Sequence, residues 1–393
     1  MIRKLIVGLG LTFLSLTLLL VLLLFPPRMT QPMIDPLRSL VLQRVMAQVS
    51  ESLNGSVEIA QLQGSLLSNP SLRNIVVRDD KGSVLAEIDS LRLRYTLRDL
   101  FKGRLRVRII EINRPQLVLV EGPDSQIGLI RALSPTVIKE TKPASNGQGL
   151  ALSVTIEQVQ IKQGQVSMQL SSVPGMQTVE DIDLRLRAEL DPQGLRFELQ
   201  QLTAHAEPAD VTVKAFHGGL SIDAGNIRFH DLLLQTQASH ITLDGRLPGE
   251  GQIADLRLGM QPLDTAEIGR ALSDKTIHGP LYANFDVVGP PQELDIRGQL
   301  QAGGGRLSLQ AQLDILSVPQ RYRAVLDIAA LDLATVIERP ALQSNLNMQL
   351  QIDGEGFSFA DLASELQLDV QASHLGKIGI EPSAIHVHAR SQR

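Results

Sequence analysis

The densest run of charge in the sequence is RLRYTLRDLFKGRLRVRIIEI, residues 92–112. Its basic side chains are Arg92, Arg94, Arg98, Lys102, Arg104, Arg106 and Arg108. Such a cluster could bind nucleic acid, bind anionic lipid head groups, or form the solvated face of ordinary strands. Arginine alternates with Leu105, Val107 and Ile109, which indicates a strand with one basic face and one apolar face.

The solvated-face interpretation of this cluster is favoured. Contacts of Arg104, Arg106 and Arg108 with anionic head groups are the functional alternative, since each basic side chain near such a surface adds about 1 kcal/mol. Nucleic acid is not an expected partner, because single-strand binding relies on aromatic side chains that stack on bases, and aromatics make up only 3% of this chain.

Two other patterns resemble binding sites, one for a dinucleotide and one for a metal ion, but each lacks a feature that its site requires. Residues 249–254, GEGQIA, match a dinucleotide-binding loop, yet a strand-like segment follows where that motif needs a helix. His386 and His388 share one face of a predicted strand, but no third metal ligand is evident. No nucleophile elbow, zinc-protease motif or phosphate-binding loop occurs in the sequence. We therefore expect a protein that is not an enzyme, with no catalytic residues, no cofactor and no metal.

The bulk composition narrows the class further. The chain has 393 residues, a net charge of −5, no cysteine and no tryptophan. Disulfides and thiolate sites are therefore excluded, and Leu, Ile and Val must supply nearly all of the apolar surface. This composition is unusual for an enzyme pocket or a sugar-binding groove, because both rely on aromatic rings.

The first 27 residues are predicted to anchor the chain in a membrane. After Arg3 and Lys4, the segment 5–25 has no charge, and as a helix it would span roughly 31 Å. It is longer than the apolar region of a signal peptide and lacks a small-x-small cleavage site. The basic leading tail favours a cytoplasmic N-terminus, which places the rest of the chain in the bacterial periplasm.

The remaining chain is predicted to be mainly β, with few short helices. Residues 28–55 contain an amphipathic helix over 36–53, residues 56–138 an N-terminal β domain, 139–149 a polar linker, and 150–393 a second β region. In that region LDTAEIGRAL (263–272) is echoed by LDLATVIERPAL (331–342), and LYANFDVVG by LNMQLQIDG. This repetition predicts an array of stacked units.

Alternation also predicts which side chains share the apolar face. Those expected to line an open groove are Leu105, Val107, Ile109, Leu346, Met348, Leu350 and Ile352. In the last strand, Asn347, Gln349 and Gln351 are expected to face water.

Residues 57–120 resemble the opening domain of the TamB family, inner-membrane subunits of the translocation and assembly module within the AsmA-like group. The resemblance rests on a Leu-x-Gly strand (Leu62, Gly64), on LRNIVVRD and IDSLRLRY, on DLFKGRLRV, and on a final Pro-x-Leu-x-Leu. It covers residues 1–160, and the Leu-Asp repeats resemble the AsmA-like units more loosely.

The resemblance implies an elongated, repeat-built β-groove (a β-taco) with an apolar interior, anchored in the inner membrane. It implies phospholipid transport to the outer membrane, through contact with acyl chains, or assembly of outer-membrane proteins with a BamA-like barrel partner of the TamA type. Family members are longer, so the region that meets the barrel is expected to be absent from this chain. A structural or adhesive β-array and, more weakly, a β-helix hydrolase remain the alternatives.

Overall fold

The structure of the chain is a computed structural model. It describes residues 55–390, apart from 66–67, 97, 99–101, 121–127, 130–152, 171–175, 193, 224–225, 248–252, 273–278 and 357–362. The described residues are mainly β, as predicted, and their 20 strands belong to one mixed sheet. The predicted membrane anchor (1–27), amphipathic helix (36–53) and linker (139–149) lie outside the described residues. No helix in the described part combines the length and apolar character needed to cross a membrane.

The described residues form two compact units, the first extending to Pro192 and also including Ala204–Pro208. Its strands are β1 (Ser56–Gln63), β2 (Ser71–Arg78), β3 (Val84–Thr96), β4 (Arg104–Val120), β5 (Ser153–Gln169) and β6 (Met176–Asp191). β7 (Gly194–Pro208) contributes its last five residues to the first unit and the others to the second.

Pairing in the first unit is antiparallel from β1 to β4 and from β5 to β6, but β4 and β5 are parallel. The parallel ladder aligns Leu105 with Val154 and Ile112 with Ile161. A parallel pair needs a long crossover, and the segment between these two strands supplies its length. The predicted domains divide the chain within that segment, whereas the structure keeps β5 and β6 with β4 in one unit.

The second unit is a meander in which strands consecutive in sequence pair antiparallel from β8 to β17. Its strands are β8 (Val211–Asp223), β9 (Asn226–Gln235), β10 (His240–Leu247), β11 (Ala254–Asp264), β12 (Pro280–Gly289), β13 (Leu294–Ala302), β14 (Gly305–Asp314), β15 (Arg321–Leu331), β16 (Ser344–Glu355), β17 (Ala363–Val370), β18 (Ser373–Leu375), β19 (Ile378–Ile380) and β20 (Ser383–Arg390).

Short helical elements and a hairpin complete this unit. The helices are α1 (Thr265–Leu272), α2 (Leu333–Ile337) and a 3-10 turn at Pro340–Leu342. β20 pairs with β17, while the β18–β19 hairpin pairs with the start of β16.

The sequence repeat corresponds to a structural repeat. Leu263 pairs with Leu281 after a bulge that follows Met260, and Leu331 pairs with Leu346 after a bulge that follows Ile328. In each copy the aspartate after the leucine caps a helix. Asp264 Oδ1 accepts from the backbone N of Ala266 at 2.8 Å, and Asp332 Oδ1 accepts from that of Ala334 at 3.1 Å. The Leu-Asp pair therefore marks a strand–helix–strand corner.

The first unit contains a closed apolar core. Alternation on β3 buries Leu91, Leu93 and Tyr95 and exposes Arg92 and Arg94, which confirms the predicted faces. The strands β4 and β5 continue this core. Their most buried side chains, exposed by 3% or less, are Leu105, Val107, Ile110, Ile156 and Val159.

The alternation on β4 breaks at a β-bulge. Val107 pairs with Tyr95, whereas Ile109 pairs with Arg94, so Arg108 is an extra residue on this strand. The next buried side chain after Val107 is therefore Ile110, and Ile109 is partly exposed. The prediction that Ile109 shares the inward row of Leu105 and Val107 fails at this bulge.

Candidate functional site

The second unit presents a row of apolar side chains across ten strands. Each member is the direct cross-strand partner of the next, so all point to the same face of the sheet. The row consists of Leu232, Leu243, Leu258, Phe285, Gly298, Leu309, Leu326, Leu350, Leu368 and Ile385. We call it the middle row.

Two further apolar rows flank the middle row, one on each side, two positions away on most strands. The first consists of Phe216, Leu234, Ile241, Met260, Ala283, Leu300, Leu307, Ile328, Met348 and Val370. The second consists of Phe229, Gly245, Leu256, Val287, Ile296, Ala311, Ala324, Ile352, Leu366 and Val387. The three rows together, which contain no polar or charged side chain, are the apolar face.

Gly298 does not interrupt the middle row, because the ring of its cross-strand partner covers it. A Cβ at this position would lie 2.5 Å from Cε1 of Phe285 and 3.4 Å from Cβ of Leu309. Gly298 is buried as a result. An aromatic ring lying over a cross-strand glycine keeps the apolar surface continuous where the side chain is missing.

The apolar face is more open than the core of the first unit. Eight members of the middle row are partly exposed, and Ile385 at the last strand is 49% exposed. Val387 in a flanking row is 46% exposed. Leu105 and Val107, by contrast, are almost completely buried and belong to a closed core, so they do not line an open surface. The apolar face of the second unit is therefore the candidate functional site.

The predicted residues on β16 lie on both faces of the sheet, some on the apolar face and some on the opposite one. Met348, Leu350 and Ile352 lie in the three rows and are partly exposed, and Leu346 is buried beside Leu331 at the Leu-Asp corner. Their neighbours Asn347, Gln349 and Gln351 lie on the opposite face but are also partly buried, unlike the prediction.

Hydrogen bonds between neighbouring side chains explain that burial. Gln349 Nε2 donates to Asp327 Oδ1 at 2.6 Å, and Gln351 Nε2 donates to Gln349 Oε1 at 2.7 Å. Asn347 Oδ1 accepts from the backbone N of Ala330 at 3.0 Å. The amides lie flat against their neighbours instead of extending into water.

The face opposite the apolar rows is polar, and its charges alternate in sign across the strands. Asp244, Arg257, Asp286 and Arg297 are successive cross-strand partners, and all are exposed. Further along, Arg323 Nε donates to Asp353 Oδ2 at 2.7 Å. Opposite charges directly across a ladder stabilise one register of strand pairing. They disfavour a one-residue slip, which would move the apolar side chains of a strand to the other face of the sheet.

Five arginines of the basic cluster lie on the exposed face of β3 and β4, namely Arg92, Arg94, Arg104, Arg106 and Arg108. Arg104, Arg106 and Arg108 are all exposed. Arg106 Nε lies 3.6 Å from Glu157 Oε1, whereas neither Arg104 nor Arg108 forms an ion pair with any carboxylate that the structure describes. The solvated-face interpretation accounts for this placement, and so would contact with an anionic surface.

Glu111 is the main counter-charge within this cluster. A hydrogen bond from Lys162 Nζ, at 2.8 Å from Glu111 Oε1, lowers the pKa of the Glu111 carboxyl, and the charges of Lys162, Arg92 and Arg94 lower it further. Burial opposes these effects but does not outweigh them. Glu111 therefore carries its charge throughout the neutral pH range.

The polar face also carries a shallow depression of about 210 Å³ near the end of the unit, lined by Arg323, Asp353, Glu365, His386 and His388 among others. This is smaller than the roughly 300 Å³ at which small-molecule sites begin. His388 Nδ1 lies 3.4 Å from Glu365 Oε1. Both histidines are exposed, as predicted.

Sequence reasoning found one strand of the apolar face and missed the others. The alternation of β9–β15 is visible in the sequence, but it does not show which residues are cross-strand partners. Sequence reasoning also missed a cluster formed by Glu180, His205 and Glu207, whose potential metal-ligating atoms lie within 4.8 Å of one another. Only the fold brings Glu180 to this place.

Comparison with known proteins gives no match: no family model, no curated protein and no solved structure is similar to the chain.

Proposed function

We propose that this chain carries phospholipid acyl chains on the apolar face of its second unit. The observation that supports this is the open, partly exposed surface of three apolar rows, in which no side chain is polar or charged. An exposed apolar area of this extent on a protein calls for an apolar occupant. A surface with few aromatic rings and no donors or acceptors suits hydrocarbon better than a sugar, a base or a peptide.

The dimensions of the face agree with such an occupant. Rows two positions apart on a strand place the outer two about 14 Å from each other. An acyl chain crosses one leaflet, about half of the roughly 30 Å hydrocarbon core, so its length is about 15 Å. A chain lying along the strands would contact all three rows and leave its head group at the edge of the face.

The location that we propose follows from the sequence. A single N-terminal segment would anchor the protein in the bacterial inner membrane with its N-terminus in the cytoplasm, and the β units would lie in the periplasm. The exposed arginines Arg104, Arg106 and Arg108 would face anionic head groups near that membrane. The protein would not be an enzyme.

This proposal includes membership of the TamB type within the AsmA-like group, which the opening strands resemble. Transport toward the outer membrane, or assembly of outer-membrane proteins with a BamA-like barrel partner, is the role that the resemblance implies. The rival interpretation, a structural β-array, requires the apolar faces to be closed. The partly exposed middle row favours the carrier.

Site-specific photocrosslinking tests where the lipid lies. A photoreactive residue at Leu309 in the middle row should form covalent adducts with phospholipid when the chain is expressed in a two-membrane bacterium. The matched control is Gln310, the next residue on β14, which is exposed on the polar face. Mass spectrometry should detect lipid adducts at Leu309 at least several times more often than at Gln310. Equal yields at the two positions, or none at Leu309, would refute the carrier proposal.

A further inference from the structure

The first unit holds a cluster of potential metal ligands that is not part of the apolar face. Glu180 lies on β6, and His205 and Glu207 lie on β7. One ligand atom of each side chain lies within 4.8 Å of the other two, and His205 Nε2 is 3.7 Å from Glu207 Oε1. His205 and Glu207 are two positions apart on one strand, so they point to the same side of the sheet.

The two carboxylates of this cluster have no lysine or arginine partner among the described residues. Two carboxylates and an imidazole are all acceptors or metal ligands when the histidine is neutral. Among the described residues, no lysine or arginine forms an ion pair with Glu180 or Glu207, and His205 Nε2 is within ion-pair distance of Glu207 Oε1. Converging carboxylates repel each other unless a cation lies between them. A cation bound between the two carboxylates would relieve this repulsion.

We propose that Glu180, His205 and Glu207 bind a divalent transition-metal ion of the zinc class. One imidazole nitrogen with two carboxylate oxygens is a ligand set for Zn²⁺, whereas Ca²⁺ and Mg²⁺ prefer oxygen ligands alone. Zinc needs its ligand atoms roughly 3.3 Å apart, a distance that small side-chain rotations would reach from the observed positions. This site is independent of lipid carriage.

The burial of the three ligands indicates the kind of site. Glu180 and His205 are partly exposed and Glu207 is exposed, so an ion can enter from solvent and one coordination position remains for water. Because the ligands come from two strands, the metal would link β6 to β7. It should therefore stabilise the folded chain as well as bind to it.

Zinc binding to the purified full chain in detergent, measured by calorimetry, tests the proposal. We expect one Zn²⁺ per chain and a higher melting temperature in the presence of ZnCl₂. Glu180→Gln and His205→Gln should each weaken Zn²⁺ binding at least tenfold and abolish the rise in melting temperature. His386→Gln/His388→Gln removes two histidines from the other exposed cluster and should leave both measurements unchanged.

Two results would overturn the site. One is the absence of Zn²⁺ binding by the parent chain. The other is Zn²⁺ affinity that is the same in His205→Gln as in the parent, or that is lost only in the His386→Gln/His388→Gln variant. Circular dichroism of each variant without metal excludes loss of folding as the reason for weaker binding.

Discussion

Burial changes the ionisation of Tyr95, whose side chain is 4% exposed on the inward face of β3. The cost of burying the phenolate raises the pKa of Tyr95 to about 12, from an ordinary value of 10.0. The unfolded chain therefore releases this proton at a lower pH than the folded chain does. The contribution of Tyr95 to stability is complete below pH 10 and is lost as the pH rises toward 12.

Ultraviolet titration of tyrosinate checks this prediction. The curve of the parent minus that of Tyr95→Phe should show one tyrosine that ionises near pH 12. A transition near pH 10 in the difference curve would mean that water reaches the hydroxyl and that the core around Leu93 and Val107 is open.

At the residue scale, the sequence predicted those faces that simple alternation controls. The arginines and leucines of β3 lie as expected because the strand is regular there. Ile109 does not, because a bulge adds one residue, and the composition around Arg108 does not distinguish a bulge from a regular strand. Gly298 shows a similar limit, since only the pairing register reveals that Phe285 covers it.

At the scale of elements, the helix α1 is tied to the neighbouring β9–β10 turn through a buried carboxylate. Glu267 is 4% exposed and accepts from Thr236 Oγ1 at 2.5 Å, from Ser239 Oγ at 2.6 Å and from the backbone N of Ala238 at 3.1 Å. Glu267→Ala would leave these donors without their acceptor, which costs about 1–3 kcal/mol. We expect the amides of residues 236–239 to exchange with deuterium roughly 5- to 150-fold faster.

The second repeat provides a matched control for this prediction. Thr335 is exposed, and it lies three residues after Asp332, as Glu267 lies three residues after Asp264. Thr335→Ala removes one exposed hydrogen bond to Asp332 Oδ2, so deuterium exchange in the 236–239 turn should not change. Unchanged exchange in Glu267→Ala would show that α1 does not hold the turn.

The repeat shows which features of the secondary-structure elements were predictable from the sequence. Leu-Asp followed by a helical segment was recognisable because an aspartate cap and its helix are local in sequence. The parallel pairing of β4 with β5 was not recognisable, because the alternation within a strand does not show the direction of its neighbour. The link from Glu267 to Thr236 likewise joins residues that are distant in sequence.

At the scale of the whole molecule, the mainly β architecture was predictable because period-two alternation persists through most of the chain. The extent of the apolar face was not, since it depends on the register of ten strands. One strand shows only that Leu350 alternates with polar residues. The structure shows that Leu326 and Leu368 flank it, and that its row continues across the second unit.

The lipid occupancy of Leu350→Asp tests the carrier proposal most directly. Leu350 is partly exposed in the middle row, so a carboxylate there can reach water when no acyl chain is bound, but it opposes an acyl chain on the face. Gln351→Asp is the control, because it places the same charge one residue away on the polar face, between Val325 and Gln367. Both variants should fold by circular dichroism. Phospholipid that co-purifies with the chain, quantified by mass spectrometry, should fall several-fold in Leu350→Asp and remain at the parent level in Gln351→Asp. Unfolding of Leu350→Asp would instead indicate a closed structural core, and equal lipid in both variants would contradict an acyl-chain site on this face.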